Sequence, residues 1–161
     1  AIYDLPFFRR AQKAAVRTLL GGWQLGTIIT EQTGFASAMG GSGDTTGTGV
    51  GSRLSVVPGQ SVSVSDPNRN MWFNTAAFTV PSAYTFGNVG RNILRGPAMV
   101  NFDFSVFRCF PLPFREGMAL EFRAEAYNVL NTTHFGNPVA NLSNVNFGQI
   151  TSASGSRQIL L

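Results

Sequence analysis

Few residues in this chain have the types and spacing that chemistry requires. His134 is the single histidine and Cys109 the single cysteine in 161 residues. A serine or cysteine triad needs a positioned base with its own orienting partner. His134 stands in Thr132-Thr133-His134-Phe135, and no Gly-x-Ser-x-Gly elbow occurs anywhere. One cysteine allows neither an internal disulfide nor a cysteine zinc site, so Cys109 reads as a small hydrophobe or free thiol. Glu121 and Glu125 are the nearest approach to a carboxylate pair. On a strand they share a face at about 13 Å. That separation is too wide for glycoside hydrolysis, and Arg123 lies between them as a counter-ion. The glycine-rich run from Gly40 to Ser52 has no Walker lysine and leads into no helix. Asp44 and Asp66 lack the acidic spacing of a calcium loop. The expectation is a chain that is not an enzyme and uses no metal and no cofactor.

Composition narrows the class further. Charged residues are 12% of the chain, about half the usual share for a soluble globular domain. Hydrophobic residues are 43%, with 14 Phe and 18 Gly, which excludes a disordered chain and does not suit a helical bundle. The net charge of +4 suggests a nucleic-acid partner, but only Arg9, Arg10, Lys13 and Arg17 cluster. A nucleic-acid module would carry a denser basic face with stacking aromatics beside it, so none is expected. No run of 18 apolar residues is present to form a spanning helix. The chain shows no leader and opens in mid-pattern at Ile2-Tyr3-Asp4-Leu5, so it is expected to be a mature part of a longer polypeptide.

The elements that must position these residues are mostly strands. Residues 9–20 have helix-forming composition, with Arg9, Lys13 and Arg17 on one stripe, and predict a short helix or connector. Residues 23–33, rich in β-branched types, predict a strand. Residues 34–97 read as a long loop region, with an alternating segment at Ser61–Ser65 that suits a short strand and apolar islands at Trp72-Phe73 and Phe78. Residues 100–129 carry the clearest period. Val100, Phe102, Phe104 and Val106 alternate with Asn101, Asp103 and Ser105. After a connection at Pro111-Leu112-Pro113 and Glu116-Gly117, Met118, Leu120, Phe122, Ala124 and Ala126 alternate with Glu121, Arg123 and Glu125. This predicts an antiparallel hairpin. Residues 132–146 read as a polar loop and residues 147–161 as terminal strands, at 147–152 and 157–161, around a turn at Ala153–Ser156.

Two environments fit this alternation. A soluble antiparallel sheet buries its apolar face against a second layer. A transmembrane barrel turns that face to lipid and keeps its charges in the lumen. Short turns alternating with long loops, few charges and many aromatics favour the second. The fold expected is all-β, antiparallel up-and-down strands with long loops, a partial segment of a transmembrane β-barrel. Asp103, Glu121, Arg123 and Glu125 would be its luminal charges.

Six phrases then carry a resemblance: Leu19-Leu-Gly-Gly-Trp-Gln-Leu-Gly26, Trp72-Phe-Asn-Thr-Ala-Ala-Phe78, Phe86-Gly-Asn-Val-Gly-Arg-Asn-Ile-Leu-Arg-Gly-Pro97, Asn101-Phe-Asp-Phe-Ser-Val-Phe107, Phe122-Arg-Ala-Glu-Ala-Tyr-Asn-Val-Leu-Asn131 and Phe147-Gly-Gln-Ile-Thr-Ser152. In this order the chain resembles the C-terminal part of TonB-dependent outer-membrane receptors, of the type with an N-terminal carboxypeptidase-regulatory-like domain. The resemblance implies a barrel in the bacterial outer membrane that takes up nutrients. Its partners would be outer-membrane lipid, the remainder of the barrel and its plug, and the TonB complex through the missing N-terminal part. Residues 9–20 would then be periplasmic and 34–97 extracellular. Neither a plug nor a TonB box is present in these residues, and a segment this short has open strand edges. Three readings stand: a barrel segment of an importer, a self-associating structural β-protein paired through its edges, and a soluble hydrolase or carbohydrate-binding β-domain. For ligand contact the loop offers aromatic Trp72 and Phe73 and cationic Arg91 and Arg95.

Overall fold

The computed structural model describes residues 1–41, 43–112 and 117–161. In chain order its elements are β1 (Ile2–Asp4), α1 (Ala14–Leu20), β2 (Gln24–Gln32), β3 (Ala36–Ser37), β4 (Ser55–Val56), a 3-10 turn (Thr75–Ala77), β5 (Phe78–Thr79), β6 (Leu94–Arg95), β7 (Met99–Pro111), β8 (Ala119–Tyr127), β9 (His134–Phe135), β10 (Ala153–Ser154) and β11 (Gln158–Leu160). They group into two compact units. The sheet unit comprises residues 1–31, 100–133 and 155–161, and the second unit residues 32–99 and 134–154.

The sheet unit is one five-stranded sheet in the order β1-β2-β7-β8-β11. Its spine is the antiparallel pair β7–β8, in register from Phe104↔Ala126 to Pro111↔Ala119. This is the hairpin predicted from the period of two. Leu112 N–H bonds the Met118 carbonyl at 2.9 Å and closes it; the predicted connection at Pro113 and Glu116 lies outside the described residues. The register places Val106 opposite Ala124, Arg108 opposite Phe122 and Phe110 opposite Leu120 on one face. On the other face Ser105 opposes Glu125, Phe107 opposes Arg123 and Cys109 opposes Glu121. β2 lies against β7 so closely that a Cβ on Gly26 would sit 2.3 Å from Ser105 Oγ, so a side chain there would make the Ser105 hydroxyl rotate away. β2 and β8 have 9 residues each and β7 has 13, the length a tilted strand needs to cross a bilayer.

Apart from the strand end where Trp23 and α1 pack, no protein layer among the described residues covers the apolar face of this sheet. Leu120 and Phe122 are 60% and 43% exposed, and Ile29 and Ile159 are exposed as well. Every buried hydrophobic side chain of the described residues belongs to the second unit instead: Met39, Leu54, Phe73, Ala77, Phe78, Val89, Leu94 and Ile150.

The second unit therefore has its own core, although the sequence presents 34–97 as a loop. Phe73, Phe78 and Phe147 meet edge to face, with centroids 5.1 to 6.1 Å apart, a geometry that adds about 0.5–1.5 kcal/mol per pair beyond burial. Three two-residue ladders, β3–β6, β4–β5 and β9–β10, tie distant segments together. Asn74 caps the 3-10 turn by accepting the Ala76 N–H at 3.1 Å. Gly87 passes so near the Arg53 carbonyl that a Cβ would lie 1.9 Å from it.

Three local expectations are corrected, while the 9–20 segment divides into a connector and a short helix that starts at Ala14, with no side-chain cap and no acid in its first turn. Arg9, Arg10 and Lys13 instead crowd the positive end of its dipole. Ser61–Ser65 is not a strand: Val62 packs on the core, and the Val62 and Ser61 carbonyls accept from the backbone and side chain of Asn74. Residues 147–152 form no strand either, since Phe147 N–H turns back to the Asn144 carbonyl and Gly148 has a φ of 87°. A strand at Ala153–Ser154 replaces part of the predicted turn, because Phe135 and His134 supply its partners.

Phe73→Ala should destabilise the second unit by about 3–5 kcal/mol. Limited proteolysis of the intact protein should then cut within 32–99, while the β7–β8 amides keep their slow hydrogen exchange.

Candidate functional site

Two places gather the residues that the sequence singles out. The first is the polar face of β7 and β8. Arg123 bridges both neighbours on its strand, 3.1 Å from Glu121 and 3.5 Å from Glu125. Tyr127 O–H donates to Glu125 at 2.7 Å, and the Arg123 guanidinium sits 6.0 Å from the Phe107 ring. Asp103 is not a free charge. It accepts from Asn101 Nδ2 at 2.8 Å and from the Asn128 N–H at 2.9 Å. Asn128, which sequence reading did not single out, is buried at φ 48° and takes both the N–H and hydroxyl of Thr132 at 3.0 Å. Asp103 and Asn128 together end β8. A shallow cleft of about 240 Å³ opens here, lined among others by Asp103, Ser105, Phe107, Glu125 and Tyr127.

The second place is a cleft of about 450 Å³ in the second unit, with Val62, Pro67, Trp72, Asn92, Ile93 and Arg95 on its wall. Trp72 is half-buried, and its indole N–H donates to the Arg95 carbonyl at 2.7 Å. Arg95 itself is exposed and reaches the Gly34 carbonyl at 3.4 Å. The fold thus brings Trp72 and Arg95 together, though 23 residues separate them. Arg91 is exposed and does not line the cleft. Phe73 borders it but is 1% exposed, and its ring is committed to the Phe78 and Phe147 contacts. Core packing takes the side chain that the sequence offered as a ligand contact.

Asp44 orders the glycine-rich run of the same unit. Its Oδ1 accepts the N–H groups of Thr46, Gly47 and Thr48 and the Thr46 hydroxyl, and its Oδ2 accepts the Gly49 N–H at 2.6 Å. The backbone N–H of Gly49, followed by the Thr46 hydroxyl, holds this carboxyl below its usual range. Among the described residues no cluster of three His, Cys, Asp or Glu has the geometry for a metal.

Arg108 interrupts the alternation of β7. It lies on the apolar face, 6% exposed, with its guanidinium 4.4 Å from the Phe110 ring and 5.8 Å from that of Trp23. Its Nη2 donates to the Thr18 carbonyl. Trp23 in turn packs edge to face on Phe122 at 5.6 Å and Phe110 at 6.3 Å. An apolar sheet face, strands of bilayer length and an aromatic cluster at one strand end are the features of a membrane-barrel wall.

The sequence matches the family described as Outer membrane beta barrel domain over residues 1–159. The chain belongs to that family. A search of curated proteins and one of solved structures found no match. As an outer membrane β-barrel domain the chain is located in the bacterial outer membrane. No helix of the described residues is long and apolar enough to cross it, and the strands of the barrel domain do so instead.

Arg123 is more than half exposed, so its ion pairs are screened and Arg123→Ala should change stability by less than about 1 kcal/mol in a urea titration of the detergent-solubilised protein. Asp44 supplies the pH-dependent contrast. Its folded pKa is depressed, so its contribution is complete above the unfolded value of about 3.9 and is lost as pH falls through the lower folded value. The Gly49 amide resonance should titrate with a midpoint under about 3.9, and Asp44→Asn should abolish that titration.

Proposed function

We propose that this barrel domain is part of a TonB-dependent receptor that imports a scarce nutrient, and that the cleft of the second unit makes first contact with it. Val106, Phe110, Leu120 and Phe122 then face lipid, and Asp103, Glu121, Arg123 and Glu125 face the lumen. The remaining strands of the barrel join at the outer edges of β1 and β11, the plug fills the lumen, and the TonB complex acts through the N-terminal part of the polypeptide. The chain works by binding and passage, not as an enzyme.

The observation that carries this reading is the pairing of Trp72 and Arg95 on one open cleft in a unit with its own hydrophobic core. Both line the same cleft, and the indole N–H bond to the Arg95 carbonyl fixes the aromatic in place, so a ligand meets it at little conformational cost. The residues 112–118 that join β7 to β8 are few, whereas the opposite strand ends lead into 33–98 and 128–157. Short connections are periplasmic and long ones extracellular in such barrels. The second unit, with its cleft, is then on the outside, where a nutrient arrives.

The test is uptake by cells that carry the full natural polypeptide, with and without a functional TonB protein, on a panel of growth-limiting iron, cofactor and carbohydrate sources. At least one source should depend on both. For that source Trp72→Ala and Arg95→Gln should weaken binding about tenfold or more, whereas Arg91→Gln should leave it nearly unchanged. Uptake that persists without TonB, on every source, would overturn the reading.

A further inference from the structure

The connector between β1 and β2 carries an unusual surface. Phe7, Phe8, Leu19 and Leu20 are 63%, 52%, 62% and 51% exposed. Interleaved with them are Arg9, Arg10, Lys13 and Arg17, all exposed, and among the described residues Arg9 alone of these has an acidic neighbour within salt-bridge range, Asp4 at 3.4 Å. Exposed rings and leucines beside unneutralised cations do not suit contact with bulk water.

The side of the sheet on which this segment lies is fixed by two bonds. Arg108 belongs to the face that carries Val106, Phe110, Leu120 and Phe122, and its Nη2 donates to the Thr18 carbonyl of α1. Trp23, packed on Phe110 and Phe122 of that same face, donates its indole N–H to the Leu19 carbonyl at 3.2 Å. The carboxy-terminal turn of α1 is therefore held on the apolar side of the wall, next to the aromatic cluster, and not beneath the polar face.

We infer that residues 7–20 form an interfacial anchor that lies on the inner leaflet of the outer membrane and binds anionic phospholipid headgroups. This inference rests on the orientation argued above, with the apolar face toward lipid and the β7–β8 connection in the periplasm. The surface is continuous with the lipid-facing wall. Its apolar side chains enter the acyl boundary, and the four cations meet phosphates, where each basic residue adds to the attraction. Long arginine and lysine stems suit that position because they bury methylenes and keep the charge at the headgroups.

Nitroxide labels test this in the full natural polypeptide, with its cysteines replaced, reconstituted in phosphatidylethanolamine bilayers with and without phosphatidylglycerol. Labels at Phe8→Cys and Leu20→Cys should be relaxed by oxygen and shielded from a soluble nickel chelate, and a label at Lys13→Cys should be open to the chelate. A label at Leu120→Cys reports the wall itself. If it is closed to oxygen, the face assignment fails. If it is open to oxygen but the Phe8 and Leu20 labels meet the chelate, or are shielded from both probes by protein, the anchor alone is overturned. The combined change of Arg9, Arg10, Lys13 and Arg17 to Gln should cut the preference for phosphatidylglycerol over phosphatidylethanolamine about tenfold, counted by native mass spectrometry. An unchanged preference would remove the anionic headgroup as the ligand.

Discussion

The register of β7 against β8 is the constraint on which the sheet unit depends. Side chains on a strand alternate with a period of two, so a slip of one residue would exchange the two faces completely. In the observed register Glu121, Arg123 and Glu125 share one face, and Leu120, Phe122, Ala124 and Ala126 share the other. A slipped strand would turn Arg123 toward hydrocarbon, at about 2–4 kcal/mol near the bilayer midplane, and would add two carboxylates. The penalty for error is large at several positions together. With the apolar face toward lipid, as proposed, such a strand would need no protein layer to specify its partner.

That reasoning also explains why the sheet unit has no buried hydrophobic core among its described residues. A soluble sheet with Leu120 60% and Phe122 43% exposed would forgo part of the roughly 1.5–3 kcal/mol that full burial of each large side chain supplies. In a membrane wall the same exposure is the favourable state. The second unit faces the opposite requirement. It gathers Phe73, Phe78, Phe147, Leu54 and Val89 inward, and it satisfies its irregular backbone with side chains such as Asp44, Asn74 and Asn88. One chain thus solves two burial problems with two solvents. The side chains of each unit match the solvent of that unit.

This division also decides what could be read from the sequence. The hairpin is legible because period-two alternation is a local property, β2 because its β-branched types are, and the two faces of β8 show in its residue order alone. The second unit was not legible as a unit. Its hydrophobic residues have no period, its ladders are two residues long, and each joins segments far apart, as Ser37 joins Leu94. Trp72 and Arg95 were picked out by type, but only the fold shows that they share a wall and that Arg91 does not. Phe73 looked like its neighbour Trp72 in sequence; the difference between a core ring and a cleft ring lies in Phe147, 74 positions later, which no local pattern connects. Within 9–20 helix propensity alone does not fix where the helix begins; the adverse end charges of Arg9, Arg10 and Lys13 leave only Ala14–Leu20 helical.

Arg108 shows how an apparent violation of the pattern is accommodated. A cation on an apolar face breaks the alternation, and burial of its Nε and Nη1 without a hydrogen-bond partner among the described residues is costly. The surroundings offset that cost in a way only a planar cation permits. The guanidinium lies near the Phe110 and Trp23 rings, whose faces are electron-rich, and its remaining edge reaches the Thr18 carbonyl. That carbonyl is near the carboxy-terminal, negative end of α1, so the helix dipole adds to the attraction. A lysine ammonium could not lie flat against the rings and also span to the helix. The break in the period is therefore the joint between α1 and the wall, and it occurs at the strand end where the aromatic cluster stands.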